Sequence, residues 1–322
     1  MVKRSSAGSL RPTSDLGEAL AQIHYMSDEL SVQPERPPHR GIKKGLYVIP
    51  TMFTAANVGM GFLAVLYSMR GFQIAATNVD QSGKYFNYAA IAIGLAILFD
   101  TLDGRVARMT RTATEIGVQF DSLADVLTFG IAPVALAYSW AIAPVLPEGS
   151  SEYRFGVFLL FMYLMCGTFR LARFNIQATR PRVLIEGTPK VDKKNFVGLP
   201  IPPAAGLLAA MVHFSPRPLT AYADEWPRFY AIMIMTLIAV LGILMVSTLK
   251  YTSFKNLGTG RRNFHIILLI AAIGMSVWLY SRYALLILAA AYVSHGLVWY
   301  LISILRPRPR AVSAGTEPEP PL

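Results

Sequence analysis

Cysteine and charged residues are both scarce in this chain of 322 residues. The single cysteine, Cys166, excludes an intramolecular disulfide and any cysteine-rich metal site. Charged residues make up 15% of the chain, whereas a soluble globular domain usually contains about a quarter. The five histidines are scattered, and none stands at metal-ligand spacing from another. This composition argues against a soluble enzyme and against a zinc protein.

Hydrophobic residues make up 53% of the chain, and many of them form long uninterrupted runs. Several of these runs approach or exceed the roughly 20 residues that a membrane-spanning helix needs. The sequence predicts eight spans, at about 47–69, 85–102, 116–142, 154–174, 196–214, 229–249, 264–281 and 283–305. We therefore predict an all-α integral membrane protein.

The net charge is +11, and its placement indicates membrane topology rather than nucleic-acid binding. If the N-terminus is cytoplasmic, basic residues concentrate in the inside segments, at 1–45, 105–111, 180–194, 250–262 and 306–310. The outside loops together hold only six lysine and arginine residues. This asymmetry predicts that both termini are cytoplasmic, and we expect the membrane to be a bacterial inner membrane. No nucleic-acid motif accompanies the positive charge.

The two ends of the chain differ from its apolar middle. Residues 1–45 are polar, contain Pro34, Pro37 and Pro38, and lack the apolar core of a signal peptide. They predict a flexible cytoplasmic arm. Residues 306–322 are rich in proline and glutamate towards their end and predict a disordered tail.

Four carboxylates interrupt the apolar pattern between the second and third spans. Asp100 and Asp103 are three residues apart and share a helix face, and Asp121 and Asp125 are four apart on another. Because the connection is short, the two pairs can face each other across a hairpin at the inner membrane surface. Such carboxylates repel one another unless protons or cations neutralise them. Ionisable residues at membrane depth are usually functional.

Oxygen ligands alone favour a hard cation such as Mg²⁺ or Mn²⁺, and paired divalent cations are common in phosphoryl chemistry. Nearby residues suit a phosphate ligand. Gly104 and Ala107 leave room for close approach, Arg108 provides a planar fork, and Thr114 adds a hydroxyl donor. The alternative is that the carboxylates only cap helices and pair with neighbouring arginines. That reading does not explain Asp121 and Asp125.

The spacing of these residues resembles a family signature. The pattern D-x2-D-G-x2-A-R-x8-G-x3-D-x3-D is matched without a gap by Asp100, Asp103, Gly104, Ala107, Arg108, Gly117, Asp121 and Asp125. It is similar to the signature of the CDP-alcohol phosphatidyltransferases. The resemblance implies a six-helix catalytic membrane domain at 46–250, two further helices at 251–305, a homodimer and two divalent cations.

The resemblance also implies the roles of individual residues. The four aspartates would hold the cations, and Asp125 would also take the proton from the attacking hydroxyl. Gly104, Ala107, Arg108 and Thr114 would bind the CDP-lipid. Thr54 and Asn57 follow Pro50 in an element, P-x3-T-x2-N, that would line the nucleotide site. For Asn57 an interhelical hydrogen bond remains an alternative.

Two further stretches bear on the acceptor alcohol. "CGTFRLARFN" (166–175) and "NFVGLPIPPAAG" (195–206) resemble the membrane-bound phosphatidylserine synthases, which use CDP-diacylglycerol and L-serine. Arg170, Arg173 and Asn175 would then bind the serine carboxylate or the lipid phosphate, and Gly198 and Pro200 would shape the acceptor pocket. The two arginines could instead anchor the helix to anionic headgroups.

Three other functions remain open from the sequence. A phosphatidylglycerophosphate or phosphatidylinositol-phosphate synthase would share the signature and would also need cationic side chains for its acceptor. A cation-coupled transporter would use the carboxylates as an ion site, but such sites usually lie near the midplane between repeats, and no repeat is evident. A non-catalytic membrane scaffold would not depend on Asp125.

Overall fold

A computed structural model describes residues 43–110, 115–179, 195–221, 226–252 and 263–305. All but three of these residues, 43–45, belong to a compact unit, Leu46–Leu322. The longer helices are α1 (Lys43–Ile74), α2 (Val79–Thr110), α3 (Glu115–Asp125), α4 (Ala132–Ala137), α5 (Ser151–Thr179), α6 (Ile201–Phe214), α7 (Pro227–Val246), α8 (Asn263–Leu279) and α9 (Ser281–Leu305). Two short strands, β1 (Asn195–Val197) and β2 (Lys250–Thr252), pair antiparallel. The predicted arm and tail lie almost wholly outside the described residues.

Within the described ranges, five helices are long and apolar enough to cross a bilayer. Their spans are Thr51–Ile74, Val79–Val106, Gly117–Ile142, Ser151–Ile176 and Pro227–Val246. They coincide with the first four predicted spans and the sixth. The chain is therefore a multi-pass, all-α membrane protein, as the sequence predicts. Helices α8 and α9, of 17 and 25 residues, lie where the last two spans are expected.

The fifth predicted span, 196–214, differs in the structure. Helix α6 begins only at Ile201 and has 14 residues, which is short for a membrane-spanning helix. Pro200 is extended, with φ −61° and ψ 145°, and residues 195–197 pair with β2 instead of joining the helix. Most side chains of α6 are buried, because α2 and α9 pack against it. The predicted span therefore agrees with a helix over 201–214 and is wrong for 196–200, because the pairing of β1 with β2 and the extended Pro200 keep these residues out of the helix.

The turn before α6 is held against the end of α7. Gly198 donates a hydrogen bond to the Leu249 carbonyl at 2.8 Å, and Leu199 donates to the Leu244 carbonyl at 2.9 Å. The φ of Gly198 is +83°, and a Cβ there would lie 2.3 Å from the Met245 carbonyl oxygen. Only glycine fits both the backbone conformation and the space. Gly198 therefore joins the turn before α6 to the end of α7, and its role in shaping an acceptor pocket stays a prediction.

The third span is a continuous helix in which α-helical segments alternate with π-helical turns. Helix α3 leads into a π-helical turn, Val126–Ile131, and α4 leads into another, Tyr138–Ile142. Pro133 has no N–H to donate to the Phe129 carbonyl. The Tyr163 hydroxyl of α5 donates to that carbonyl instead, at 3.3 Å. A buried backbone group is thereby satisfied and α5 is fixed against the third span.

Candidate active site

Three of the four signature carboxylates meet where α2 and α3 approach each other. Oxygen atoms of Asp100, Asp121 and Asp125 all lie within 4.8 Å of one another. Asp121 and Asp125 are brought to one side of α3 by their four-residue spacing, and Asp100 approaches from α2. Carboxylates at this separation repel strongly when ionised. The cluster therefore has the form of a cation-binding site.

Asp103, the fourth carboxylate, is not one of these three. Its side chain is buried and accepts a hydrogen bond from the Thr54 hydroxyl of α1. Asp103 still acts electrostatically on Asp121 and Asp125, so it lies near the cluster. The contact joins α1 to α2 at the level of the cluster. Thr54, predicted to line the nucleotide site, thus directly contacts a predicted metal ligand.

Asn57 lies one turn beyond Thr54 and is completely buried. Both polar atoms of its side-chain amide lack a hydrogen-bond partner among the described residues. Its backbone carbonyl accepts a hydrogen bond from the Thr128 hydroxyl at 3.2 Å. The interhelical bond is therefore made by the backbone, and the side chain remains available. Leaving a buried amide without hydrogen bonds costs about 1–3 kcal/mol of folding free energy. Such a cost calls for an explanation, and a ligand that bonds to the amide would provide one.

Arg170 of α5 and Asp125 of α3 both carry buried polar atoms. The Arg170 side chain is 8% exposed, and its Nε has no hydrogen-bond partner in the described part of the chain. The Oδ1 atom of Asp125 is likewise buried and unpartnered there. The two side chains interact electrostatically. The ion pairs found within the described ranges are Arg217–Asp80 and Arg228–Glu152, so Arg170 and Asp125 do not form a direct ion pair.

The other two predicted acceptor residues make contacts between helices. Arg173 donates to the Val246 carbonyl, at the end of α7, over 3.5 Å. Asn175 donates from its Nδ2 to the Ser122 hydroxyl of α3 at 2.8 Å. Ser122 is the neighbour of Asp121, so Asn175 ties α5 to the helix that carries two of the carboxylates. Of the three predicted acceptor residues, Arg170 is the one whose electrostatic interaction with Asp125 the structure gives.

The CDP-lipid residues predicted from the signature are only partly described. Gly104 directly follows Asp103 on α2, and Ala107 and Arg108 lie on the next turn of the same helix. The side chains of Ala107 and Arg108 lie outside the described part of the structure, as does the whole of Thr114. The basic segments 180–194 and 253–262 also lie outside the described ranges.

The residues at the cluster fit a divalent metal ion. The candidate ligand atoms are carboxylate oxygens, one from each of Asp100, Asp121 and Asp125, and they come from two adjacent helices. Hard cations such as Mg²⁺ and Mn²⁺ prefer such oxygen ligands. A cation would remove the repulsion between the carboxylates.

Three residues at this site were missed by the sequence analysis. They are Thr128, which bonds to α1, Ser122, which bonds to α5, and Tyr292 of α9, which interacts electrostatically with Arg170. Thr128 follows Asp121 by seven residues on the same helical face, which is a signal in the sequence. For Tyr292 no local signal exists, because α9 is far from the motif in the chain.

Comparison with known proteins gives consistent matches. The sequence model described as CDP-alcohol phosphatidyltransferase matches residues 47–244. A CDP-diacylglycerol–serine O-phosphatidyltransferase of Helicobacter pylori is 29% identical over 81% of this chain and 94% of its own length. The Bacillus subtilis protein of the same name is 30% identical over 67% of this chain and 98% of its own. An archaetidylserine synthase of Methanothermobacter thermautotrophicus is 32% identical over 65% of this chain and 72% of its own.

Proposed function

The chain belongs to the CDP-alcohol phosphatidyltransferase family, and we propose that it is the phosphatidylserine synthase of its cell. It would transfer the phosphatidyl group of CDP-diacylglycerol to the hydroxyl of L-serine and release CMP. The observation that carries this proposal is the cluster of Asp100, Asp121 and Asp125, whose carboxylate oxygens lie within 4.8 Å of one another, together with a buried Arg170 that interacts electrostatically with Asp125. The names of the relatives, which specify serine, support the same acceptor.

The four aspartates, Asp100, Asp103, Asp121 and Asp125, would hold two divalent cations, Mg²⁺ or Mn²⁺. When bound, such cations neutralise charge on phosphate oxygens and on the departing nucleotide. Asp100, Asp121 and Asp125 contribute the oxygen atoms that lie within 4.8 Å of one another. Asp103 would join them while its second oxygen stays fixed by Thr54. This bond keeps α1 in place against the metal ligands.

Asp125 would be the general base. The serine hydroxyl loses its proton to a carboxylate oxygen of Asp125 as its oxygen attacks the β-phosphorus of CDP-diacylglycerol. The new P–O bond forms while the P–O bond to CMP breaks, so CMP leaves with the electron pair. No covalent bond to the enzyme is needed. The buried, unpartnered Oδ1 of Asp125 is a suitable proton acceptor, because no described residue competes for it.

Arg170 would bind the carboxylate of L-serine. A guanidinium group pairs well with a carboxylate, and a buried pair of this kind is stronger than an exposed one. In serine the carboxylate and the hydroxyl are separated by only two carbon atoms. A serine bound between Arg170 and Asp125 therefore presents its hydroxyl to the base. Arg173 and Asn175 would hold α5 in the correct position through Val246 and Ser122.

The nucleotide end of the donor would be bound from the other side of the cluster. Asn57 offers an amide with an unpaired donor and an unpaired acceptor, which suits the cytosine or ribose edge. Gly104 and Ala107 would let the pyrophosphate approach α2, and Arg108 and Thr114 would bind its oxygens. The site would open to the cytoplasm, where CMP and serine are soluble. The homodimer expected from the resemblance remains a prediction, tested by cross-linking in membranes.

An acceptor assay tests this function. Purified protein with CDP-diacylglycerol and Mn²⁺ is supplied with L-serine, glycerol 3-phosphate or inositol phosphate, and CMP release is measured. We expect CMP only with serine, together with phosphatidylserine as the lipid product. CMP release that requires glycerol 3-phosphate and ignores serine would overturn the assignment. Uptake of ions or serine into proteoliposomes without any CMP would indicate a transporter instead.

A further inference from the structure

Between residues 123 and 136 the third membrane span repeats every four residues, which a regular α-helix does not. The exposed side chains of this stretch are Leu123, Leu127 and Ile131, and one buried face is formed by Ala124, Thr128, Ala132 and Leu136. An α-helix has 3.6 residues per turn, so positions four apart drift by about 40° at each step. Over three steps the drift would reach about 120°. The two faces stay aligned because the helix is locally wider.

The widening is the first π turn, Val126–Ile131, which begins directly after Asp125. Its hydrogen bonds reach five residues back, as from the Ala132 N–H to the Leu127 carbonyl. Such turns are frequent at functional sites. If the same residues formed a regular α-helix, one residue would be in excess, and the part of the span before the turn would rotate by about 100°. That part carries Asp121 and Asp125, so the turn sets the direction of both carboxylates.

Neighbouring helices hold the first π turn from two sides. Its buried residues are Thr128, Phe129 and Gly130. Thr128 bonds to α1 through its hydroxyl. On the side of α5, the Tyr163 hydroxyl donates to the Phe129 carbonyl at 3.3 Å, and a Cβ on Gly130 would lie 2.7 Å from Leu164 Cδ1. The turn is therefore tied by side-chain hydroxyls to two helices of the bundle.

The bond from Tyr163 bears directly on the choice between a π turn and a regular helix. In a regular α-helix the Phe129 carbonyl would accept from residue 133, but this residue is Pro133 and has no N–H. Tyr163 is 1% exposed, and its hydroxyl supplies a donor to this carbonyl from α5. Leaving a buried carbonyl without a donor is costly. Pro133 thus disfavours the regular helix, and Tyr163 stabilises the alternative.

We propose that Tyr163 is a positioning residue for the carboxylate cluster: its hydroxyl holds the first π turn, and the turn orients Asp121 and Asp125 towards Asp100. Pro133 acts in the same direction by preventing the α-helical bond. Tyr163 acts through the backbone of the third span and does not itself touch the reacting atoms. The inference rests on the proposed function, because the cluster is taken to hold the cations used in the reaction.

The first test compares Tyr163→Phe with the parent, using the full chain in detergent micelles. Phenylalanine keeps the buried ring and removes only the hydroxyl. We expect kcat for CMP release to fall about tenfold, since small displacements of catalytic groups are costly. Without substrates, the Mn²⁺ concentration that gives half of the rise in thermal midpoint should increase about fivefold, as for loss of one hydrogen bond. The KM for CDP-diacylglycerol should stay within a factor of about two, because α1 is unchanged.

Tyr153→Phe is the matched control, because it removes the other tyrosine contact between α5 and a π turn. The hydroxyls of Tyr153 and Tyr138 are 2.8 Å apart, and Tyr138 opens the second π turn, Tyr138–Ile142. Tyr138 lies about 20 Å along the helix from Asp125. In this control we expect kcat and the Mn²⁺ requirement of the parent, whatever its thermal midpoint. Equal losses in the two variants would overturn the proposal, as would a Tyr163→Phe variant in which only the thermal midpoint falls.

Pro133→Ala separates positioning from stability. Alanine supplies the missing N–H and permits the α-helical bond to the Phe129 carbonyl, and proline in a helix interior is destabilising. We expect a thermal midpoint at or above that of the parent, together with a lower kcat and a higher Mn²⁺ requirement. A purely structural role predicts an unchanged kcat when the midpoint does not fall. Parent-like kcat and Mn²⁺ requirement would overturn the proposal, and this variant decides it if Tyr163→Phe does not fold.

The Mn²⁺ titration separates this inference from the proposed function, because it needs no substrate. If the parent binds Mn²⁺ but forms no phosphatidylserine from L-serine, the proposed acceptor is wrong. The comparison of Tyr163→Phe with Tyr153→Phe in the titration then still decides the positioning role. A parent that does not bind Mn²⁺ would overturn both.

Discussion

The Thr128 hydroxyl donates a hydrogen bond to the backbone carbonyl of Asn57, across 71 residues of sequence and over 3.2 Å. Thr128 follows Asp125 by three residues, and Asn57 follows Thr54 by three. The bond therefore holds the helix of the proposed base against the helix of the proposed nucleotide-binding amide. Close approach is possible because Gly61 faces Thr128, where a Cβ would lie 2.6 Å from its Oγ1.

Thr128→Val should test this link, because valine keeps the shape and removes the hydroxyl. The Asn57 carbonyl would lose the hydroxyl that donates to it in a buried site, which costs about 1–3 kcal/mol. We expect a lower thermal midpoint in detergent and a higher KM for CDP-diacylglycerol. Thr236→Val is the control, since that exposed hydroxyl bonds only within its own helix, to Ile232. Identical behaviour of the two variants would contradict the proposed link.

Asp125→Asn should abolish measurable turnover and leave CDP-lipid binding largely intact. The amide keeps the volume of the side chain but cannot accept the serine proton, and a general base contributes about 10²–10⁴ in rate. CMP release under saturating substrates and equilibrium binding of CDP-diacylglycerol provide the two readouts. Asp80→Asn is a matched control, because Asp80 pairs with Arg217 away from the cluster. Activity of Asp125→Asn equal to that of the parent would exclude Asp125 as the base.

Asp121→Ala should weaken metal binding and turnover together. Removing one of the three clustered carboxylates takes away an oxygen ligand and part of the repulsion that a cation offsets. In the parent we expect Mn²⁺ to raise the thermal midpoint and chelation with EDTA to remove both that gain and the activity. In Asp121→Ala the Mn²⁺ concentration needed for half-maximal effect should increase at least about tenfold. A parent indifferent to EDTA would count against the metal site.

Arg170→Ala should raise the serine requirement more than the CDP-lipid requirement. Loss of a buried guanidinium leaves the serine carboxylate unpaired, which corresponds to a rise in KM of about ten- to a hundredfold. Initial rates over a matrix of both substrates separate the two constants. Arg154→Ala serves as the control, since Arg154 is an exposed residue near the opposite end of the same helix. An equal rise in the KM for serine and the KM for CDP-diacylglycerol would indicate that Arg170 stabilises the protein and does not bind serine.

Gly198→Ala should destabilise the protein far more than Gly149→Ala. Both glycines have φ +83°, a conformation that costs an ordinary residue about 1–2 kcal/mol. At Gly149 the space around an added Cβ is open, whereas at Gly198 it would collide with the Met245 carbonyl. Thermal unfolding of the two variants in the same detergent measures the difference. Equal midpoints would show that the contact between the α6 turn and α7 contributes little.

Much of the fold was predictable because lipid imposes simple rules on a sequence. Long apolar runs predicted the five membrane-spanning helices, and one of the missed features, Thr128, stood on a predictable helical face. The short helix α6 was not predictable, since burial by neighbouring helices and burial by lipid select the same residues. The opening of α6 depends on the pairing of β1 with β2, two segments more than 50 residues apart. No local pattern encodes such a contact.

By itself, the sequence determined that four aspartates stand at helical spacing at the edge of a membrane span, because side-chain periodicity follows from helix geometry alone. It also determined the family, through eight fixed positions in 26 residues. Only the tertiary structure decided that Asp103 bonds to Thr54 while the other three cluster. It also decided that Asn175 bonds to Ser122 and that Thr128 bonds to the backbone of Asn57. These relationships join residues far apart in the chain, and packing of the helices against one another fixes them.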